Sequence, residues 1–181
     1  MKVIFLLDEA YNLLKDIIFK VGGKMDDNCF YTFNEYMKNE EDSLTPSMQD
    51  YLEMIYRLSL KTGFIRVHQL SDALNVQPPS ATKMVQKFDE LKLLKYEKYG
   101  ILKLSKDGEA LGEALLKRHN VIEKFLNIIG VSEAETLRET EKIEHTISKK
   151  TTRCFENFIE FSKDNPDIIA KYKKYLEEQN I

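Results

Sequence analysis

The chain has 181 residues, of which 43% are hydrophobic and 31% are charged, and its formal net charge is −3. This length supports one hydrophobic core, or two small cores that share an interface, in an ordinary soluble protein. Only seven glycines and four prolines are present, which predicts long helices and excludes a loop-rich fold.

The beginning of the chain does not resemble a targeting segment. Five consecutive apolar residues, Val3–Leu7, precede Asp8, and this run is too short for the core of a signal peptide or for a membrane-spanning helix. The cysteines Cys29 and Cys154 have no CxxC spacing, so they are expected to be reduced. We therefore expect a cytoplasmic protein with no membrane segment.

Charge is distributed unevenly along the chain. Residues 1–44 carry 5 basic and 9 acidic side chains, residues 45–120 carry 12 and 9, and residues 121–181 carry 10 and 12. Only the middle segment is positive, with a net charge of +3. This mild bias is expected of a segment that faces phosphate.

Residues 1–44 are expected to form an N-terminal extension, and two interpretations of residues 1–24 are open. The segment Val21–Met25 can be encoded as GTA-GGA-GGT-AAA-ATG, which holds a bacterial ribosome-binding sequence before a start codon. Residues 1–24 are then a mis-assigned leader, and Met25 is the true start. Alternatively, they form an N-terminal helix that the glycine pair ends.

Residues 25–44 are polar and acidic but contain four aromatic side chains. These are Phe30, Tyr31, Phe33 and Tyr36. Four aromatic residues in so short a stretch indicate docking on the main body, whereas the acidic balance favours a mobile segment. Both interpretations are open.

Residues 45–105 predict a winged helix-turn-helix domain. Thr45 is the expected N-cap of a first helix, Pro46 occupies its first position, and apolar residues then recur at helical spacing. That buried stripe is Met48, Tyr51, Leu52, Ile55 and Leu58. A short helix over 67–74, a second helix over 78–91 and a two-stranded wing over 93–104 complete the domain.

The second helix has one apolar face and one polar face. The residues expected to pack inward are Ala81, Met84, Val85, Phe88 and Leu91. The residues predicted to bind DNA are Pro79, Ser80, Thr82, Lys83, Gln86 and Lys87. Hydroxyl and amide groups suit base edges, and lysines suit phosphates. The alternative is a solvated face on a winged helix that binds protein.

Residues 106–181 predict a helical domain, so the expected fold class is mainly α. A long helix should run from Lys106 to Ile129 and end at Gly130. Ser132 and Glu135 have the spacing of a capping box for a short helix. A further helix is expected over about 139–162, and Asn165-Pro166 should begin the last one.

Six side chains have the chemistry of divalent-metal ligands. Asp50 and Glu53 share one face of the first helix, Glu141, Glu144 and His145 are expected to share a polar helix face, and His119 belongs to the long helix. Spacing alone does not show that these helices meet.

Several motifs resemble the manganese transport regulator branch of the diphtheria toxin repressor family. They are TPSMQDYLE at 45–53, TKMVQK at 82–87, YEKY at 96–99, Arg118-His119 and IEH at 143–145. The resemblance implies a repressor, not an enzyme, whose homodimer binds double-stranded operator DNA when metal occupies a two-ion site. It also implies that the metal ligands are Asp50, Glu53, His119, Glu141, Glu144 and His145.

The resemblance implies two ions per subunit. It favours Mn²⁺ because the similar iron-responsive members carry a softer methionine at the position of Asp50. An iron-responsive repressor that binds Fe²⁺ is the alternative within the family. Two rivals come from other classes. One is a di-metal enzyme, for which no nucleophile or separate general base is evident. The other is a winged-helix regulator that senses an organic ligand or an oxidant, for example through Cys154.

Overall fold

The computed structural model describes residues 44–179. Its helices are α1 (Pro46–Ser59), α2 (Val67–Ala73), α3 (Pro78–Glu90), α4 (Lys106–Ile128), α5 (Glu133–Ile143), α6 (Lys149–Asp164) and α7 (Pro166–Glu178). Its strands are β1 (Ile65–Arg66), β2 (Leu94–Glu97) and β3 (Ile101–Leu104). The mainly helical fold class is confirmed. The predictions for residues 1–43, including the Met25 start, lie outside the described residues.

The first helix begins and packs as its sequence predicts. The Thr45 hydroxyl accepts a hydrogen bond from the backbone N–H of Met48 at 3.4 Å, and Pro46 is the first helical residue. The predicted stripe of α1 is buried apart from Leu58, which is partly buried. It joins α2, α3 and the sheet in one core, together with Leu115 of α4. The described residues before α4 therefore fold around α1 as a winged helix-turn-helix.

The polar face of α3 is exposed, as predicted, but its inward face is shorter than expected. Ala81, Val85 and Phe88 are fully buried, whereas Leu91 is 48% exposed. The prediction that Leu91 packs inward is wrong. The helix ends at Glu90, and Lys92 has a positive φ of 59°, so the chain turns away from the core at Leu91.

The sheet has three strands instead of the predicted two. β3 lies in the centre and pairs antiparallel with both β2 and β1, with Ile65 opposite Leu102. β1 has only two residues, so its sequence shows no alternation that could predict a strand. A turn over Lys98–Gly100 joins β2 to β3 at the wing tip, where Tyr99 has a positive φ and is 87% exposed.

The predicted single helix over 139–162 is wrong, because the chain turns between α5 and α6. The Ser148 hydroxyl accepts a hydrogen bond from the backbone N–H of Thr151 and so caps a new helix at Lys149. Glu141 consequently lies in the last turn of α5, Glu144 is the C-cap residue, and His145 lies in the turn.

The predicted capping box at the start of α5 is incomplete. The Ser132 hydroxyl donates a hydrogen bond to the Glu135 carboxylate at 2.9 Å but accepts none from the helix backbone.

Among residues 44–179, no helix is long and apolar enough to cross a membrane.

A glycine brings α1 and α4 into close contact. A methyl group built on Gly112 of α4 would lie 2.6 Å from Cβ of Tyr56 on α1. Cβ is the root of the tyrosine side chain, so it cannot move aside without the helix. The two helices that carry Glu53 and His119 therefore approach each other as closely as a glycine allows.

Replacing Gly112 with alanine should lower the free energy of unfolding by up to about 2 kcal/mol, because overpacking usually costs about 1–3 kcal/mol and alanine gains about 1 kcal/mol over glycine in a helix. Helix propensity alone would raise the free energy of unfolding, so the sign of the change separates the two effects. Urea denaturation at one protein concentration is the measurement. Ala110→Gly, at an exposed position of α4, is the matched control for propensity, and a stabilised Gly112→Ala variant would contradict the close contact.

Candidate metal centre and nucleic-acid interface

The six residues predicted as metal ligands lie together in the structure. Asp50 and Glu53 come from α1, His119 comes from α4, and the remaining three come from the end of α5 and the turn that follows. Their ligand atoms form two groups that share Glu144: Glu53, His119 and Glu144 in the first group, and Asp50, Glu144 and His145 in the second. In each group the atoms lie within 4.8 Å of one another.

The first group is almost completely buried. Nδ1 of His119 lies 2.9 Å from Oε2 of Glu144 and 3.9 Å from Oε1 of Glu53. All three residues are buried, and Glu144 is only 2% exposed. The expectation that Glu144 lies on a polar surface rather than in the core is therefore wrong. The turn after α5 points this carboxylate into the junction of α1 and α4.

The second group lies closer to solvent. Nε2 of His145 is 2.7 Å from Oδ1 of Asp50 and 3.4 Å from Oε1 of Glu144. The two oxygens of Glu144 thus face different imidazoles, Oε2 towards His119 and Oε1 towards His145. One carboxylate joins the two groups.

Glu141 lies at the edge of the first group. Its Oε1 is 3.8 Å from Nδ1 of His119, and its side chain is 52% exposed. Burial, with the negative charge of Glu144 as a second cause, raises the pKa of the Glu141 carboxyl. The same two causes, burial first, raise the pKa of Glu53, against the lowering effect of Arg57.

Both histidines have a raised pKa because each is hydrogen-bonded to a carboxylate. For His119 the partner is Glu144, and for His145 it is Asp50; in both cases burial opposes the shift. Protons on these groups thus offset part of the negative charge of the four carboxylates. A bound cation would compete with those protons for the same atoms.

Three further residues surround the site, and none was predicted from the sequence. The Gln49 amide nitrogen donates to the Leu44 carbonyl oxygen at 3.2 Å, which fixes the orientation of the amide. Its Oε1 accepts from Arg118 at 2.7 Å and lies 3.0 Å from Nδ1 of His145. An oxygen can only accept there, so Nδ1 of His145 carries a hydrogen, and Nε2 is left to face Asp50 and Glu144.

Arg57 completes the surroundings by forming an ion pair with Glu53 at 2.6 Å, one helical turn away. That i, i+4 spacing was the one available signal in the sequence. Gln49 and Arg118 are 69 residues apart, and no local pattern links them.

The side chains fit a divalent cation. Asp50 Oδ1 is buried, and it is held by an ion pair with Nε2 of His145 at 2.7 Å. Carboxylate oxygens and imidazole nitrogens, without thiolates, suit Mn²⁺, Fe²⁺ or Zn²⁺ better than soft ions. The arrangement therefore offers a set of ligand atoms suited to a divalent cation.

The predicted DNA-binding residues share the outer part of α3. Five of the six are exposed, and Thr82 is partly buried. The Thr82 hydroxyl donates to the Pro78 carbonyl oxygen at 2.9 Å, so its lone pairs stay available as acceptors. The structure leaves this face open and separate from the carboxylate groups.

Two family descriptions match the chain in succession. "Iron dependent repressor, N-terminal DNA binding domain" matches residues 43–102, and "Iron dependent repressor, metal binding and dimerisation domain" matches residues 105–171. All six candidate ligands lie within these two ranges.

Curated relatives match most of this chain and nearly all of their own length. The HTH-type transcriptional regulator MntR of Lysinibacillus sphaericus is 41% identical over 76% of this chain and 99% of its own. The protein of the same name from Listeria welshimeri is 43% identical over 71% of this chain and 91% of its own.

A solved structure described as the manganese regulator SloR has a TM-score of 0.57 and 30% identity to this chain. The match covers 65% of this chain and 55% of SloR, so the chain spans about half the length of that protein. The resemblance predicted from the motifs is confirmed, and with it a DNA-binding transcriptional regulator rather than an enzyme. The chain belongs to the iron-dependent repressor family, in the branch of the HTH-type transcriptional regulators named MntR.

Proposed function

We propose that this protein is a manganese-dependent repressor that binds double-stranded operator DNA as a homodimer. Its relatives are named MntR, and its domains match DNA-binding, metal-binding and dimerisation descriptions. The observation that carries the proposal is Glu144, whose two oxygens face His119 and His145 beside the two acidic residues of α1. A regulator of this kind acts on the chromosome, so we place it in the cytoplasm.

In this proposal two divalent ions bind per subunit, one on each side of Glu144. Glu53, His119 and Glu141 hold the inner ion, and Asp50 and His145 hold the outer one. All five supply oxygen or imidazole nitrogen, and the hard carboxylate of Asp50 favours manganese over softer ions. Manganese has the lowest intrinsic affinity of the first-row divalent ions, so selectivity must come from geometry and metal availability.

The site connects the DNA-binding part of the chain to the helices that follow it. α1 belongs to the winged helix-turn-helix core, yet it also carries Asp50 and Glu53. The other ligands lie on α4, on α5 and in the turn after α5. Bound cations would supply the positive charge that four converging carboxylates need in order to stay close. The metal-bound population then holds α1 in one position, which sets the spacing of two recognition helices in a dimer.

DNA recognition is assigned to the exposed face of α3. Pro79 and Ser80 lie in its first turn, the end that enters the major groove in helix-turn-helix proteins. Lys83 and Lys87 would contact phosphates, and Thr82 and Gln86 would contact base edges.

DNA binding titrated with Mn²⁺, Fe²⁺ and Zn²⁺ in parallel tests this function. We expect manganese to raise the affinity of the protein for operator DNA. A response to Fe²⁺ alone would favour the iron-responsive alternative. Equal affinity with and without every metal would overturn the proposal and favour a regulator of another ligand.

Replacing Glu144 with glutamine keeps the shape of the side chain but removes the charge shared by the two groups. Manganese affinity should fall by more than the 10–100-fold that outer-shell changes cost, and manganese should no longer raise DNA affinity. Calorimetric titration and a DNA-binding assay measure the two effects. Glu139→Gln is the matched control, because Glu139 lies on α5 and pairs with Lys142 instead. Equal metal affinity in the two variants would contradict the assignment.

The raised pKa values predict how stability depends on pH. In chelator-treated protein the folded chain holds more protons than the unfolded chain, because His119, His145, Glu53 and Glu141 all have a raised pKa. Their stabilising contribution is complete below the unfolded values of 4.5 and 6.5 and is lost as the pH rises through the folded values.

The free energy of unfolding of chelator-treated protein should therefore fall between about pH 6 and 8, where histidines titrate. Saturating manganese should reverse the slope, since ligands must be deprotonated to bind metal. Urea denaturation across this range is the measurement, and Glu144→Gln should lose the difference between the two conditions. Identical slopes with and without manganese in the unmodified protein would refute the proton–metal competition.

Replacing Lys83 and Lys87 together with alanine should weaken binding to every DNA sequence. Each lost phosphate contact should make the slope of log affinity against log salt shallower by about 0.9. Gln86→Ala should instead relax the preference at particular base pairs. Lys171→Ala, an exposed change on α7, is the control. An unchanged salt slope in the double variant would exclude α3 as the phosphate-binding helix.

A further inference from the structure

Gln49 is a buried amide next to a candidate metal ligand. It precedes Asp50 on α1 and is only 7% exposed. Its side-chain nitrogen donates a hydrogen bond to the carbonyl oxygen of Leu44 at 3.2 Å. The reversed amide would place its oxygen against that carbonyl oxygen, so the nitrogen end is fixed towards Leu44. The oxygen end is therefore fixed towards α4 and the turn after α5.

Oε1 of Gln49 lies between Arg118 and His145. It accepts a hydrogen bond from the Arg118 guanidinium at 2.7 Å and lies 3.0 Å from Nδ1 of His145. The guanidinium also lies 3.5 Å from the same Nδ1, which allows a second hydrogen-bond arrangement. In that second arrangement Nδ1 has no hydrogen and accepts from Arg118, while Nε2 carries the hydrogen.

The two arrangements differ in what they offer to a cation. An imidazole nitrogen that carries a hydrogen has no lone pair for a metal ion. Nε2 of His145 is the atom that lies among the other candidate ligands, 2.7 Å from Oδ1 of Asp50 and 3.4 Å from Oε1 of Glu144. Only the arrangement in which Nδ1 donates to Gln49 leaves Nε2 able to bind an ion there.

We propose that Gln49 is a positioning residue for the outer ion, because its Oε1 holds Arg118 and accepts from Nδ1 of His145, which keeps Nε2 available to the cation. This inference rests on the proposed function, since it concerns the ion held by Asp50 and His145. A neutral amide does this without adding a charge to a site that already contains four carboxylates. The same amide is held by Leu44, so it also connects the outer ligands to the start of α1.

Two substitutions of Gln49 separate positioning from packing. Gln49→Met keeps the length and approximate volume of the side chain but removes the acceptor, so Arg118 can donate to Nδ1 instead. Gln49→Glu keeps an oxygen towards Arg118 and His145, but it loses the donor to Leu44 and buries a charge. If Gln49 only fills space, the methionine is tolerated and the glutamate is not. If Gln49 positions His145, the order is reversed.

Calorimetric titration of the full chain with Mn²⁺ measures this order. We expect Gln49→Met to weaken the outer ion by about 10–100-fold, the usual cost of losing the hydrogen-bond partner of a metal-bound imidazole. Gln49→Glu should bind manganese at least as tightly as the unmodified protein. Gln77→Met is the matched control, because it makes the same chemical change at an exposed position whose side chain forms no capping hydrogen bond.

The hydrogen on Nδ1 provides a second measurement, which packing alone does not change. The protein is labelled with ¹⁵N and loaded with diamagnetic Zn²⁺, and the imidazole N–H signals are recorded by NMR. A hydrogen held by an acceptor exchanges slowly with water and stays visible. We expect the Nδ1–H signal of His145 in the unmodified protein and in Gln49→Glu, and its loss in Gln49→Met. The spectrum of His145→Gln identifies the signal.

The outcomes distinguish this inference from the proposed function. Equal manganese affinity and an unchanged N–H signal in Gln49→Met would overturn the positioning role and leave the proposed function intact. A tolerated methionine with a damaging glutamate would assign Gln49 to packing and would overturn the role as well. Absence of metal binding by the unmodified protein would overturn the proposed function, and this inference with it. Circular dichroism and urea denaturation in chelator verify that every variant folds.

Discussion

The charge balance at the junction of α1, α4 and α5 depends on one buried carboxylate, that of Glu144. Glu144 lies between two imidazoles at the junction of α1, α4 and α5, where it is 2% exposed and close to two further acidic residues. Burying two carboxylates, those of Glu53 and Glu144, close together is costly unless positive charge offsets their negative charge. Protons on His119 and His145, the cation of Arg57 and a bound metal are the available sources. The fold therefore requires positive charge at the junction of α1, α4 and α5, where the winged helix-turn-helix meets the helices that follow it.

The position of Glu144 links the winged helix-turn-helix to α4 and α5 through α1. α1 buries its apolar stripe in the winged helix-turn-helix, and it turns Glu53 towards His119 of α4 and Asp50 towards His145 in the turn after α5. Gly112 lets the backbones approach closely enough for Glu53 and His119 to meet. Any change of charge at the junction acts on a helix that also supports α3, because both pack in the same core.

Much of the helical fold was predictable from the sequence, because caps and helical periodicity are local features of the chain. Thr45-Pro46 identified the start of α1, helical spacing identified the buried stripe, and the two faces of α3 followed from periodicity. The ligand set came from resemblance and not from spacing, since Asp50 and Glu144 are far apart in the chain. What local signals missed was decided by tertiary contacts. β1 is a strand only because β3 lies beside it, and Gln49 positions His145 across 96 residues. The sequence did not predict the end of the helix after Ile143. Ser148 has no local pattern that marks it as an N-cap, and only its hydrogen bond from the backbone N–H of Thr151 identifies it as one.

The division of Glu144 between two imidazoles has a consequence for dose and response. The two oxygens of Glu144 belong to one rigid carboxylate. When one oxygen is oriented towards the first group, the position of the other oxygen in the second group is fixed as well. In the proposed two-ion site, a cation at one position would therefore orient Glu144 for the other, and the two positions would fill as a pair. A sensor built in this way passes from silent to active over a narrower range of ion concentration than two independent sites would allow.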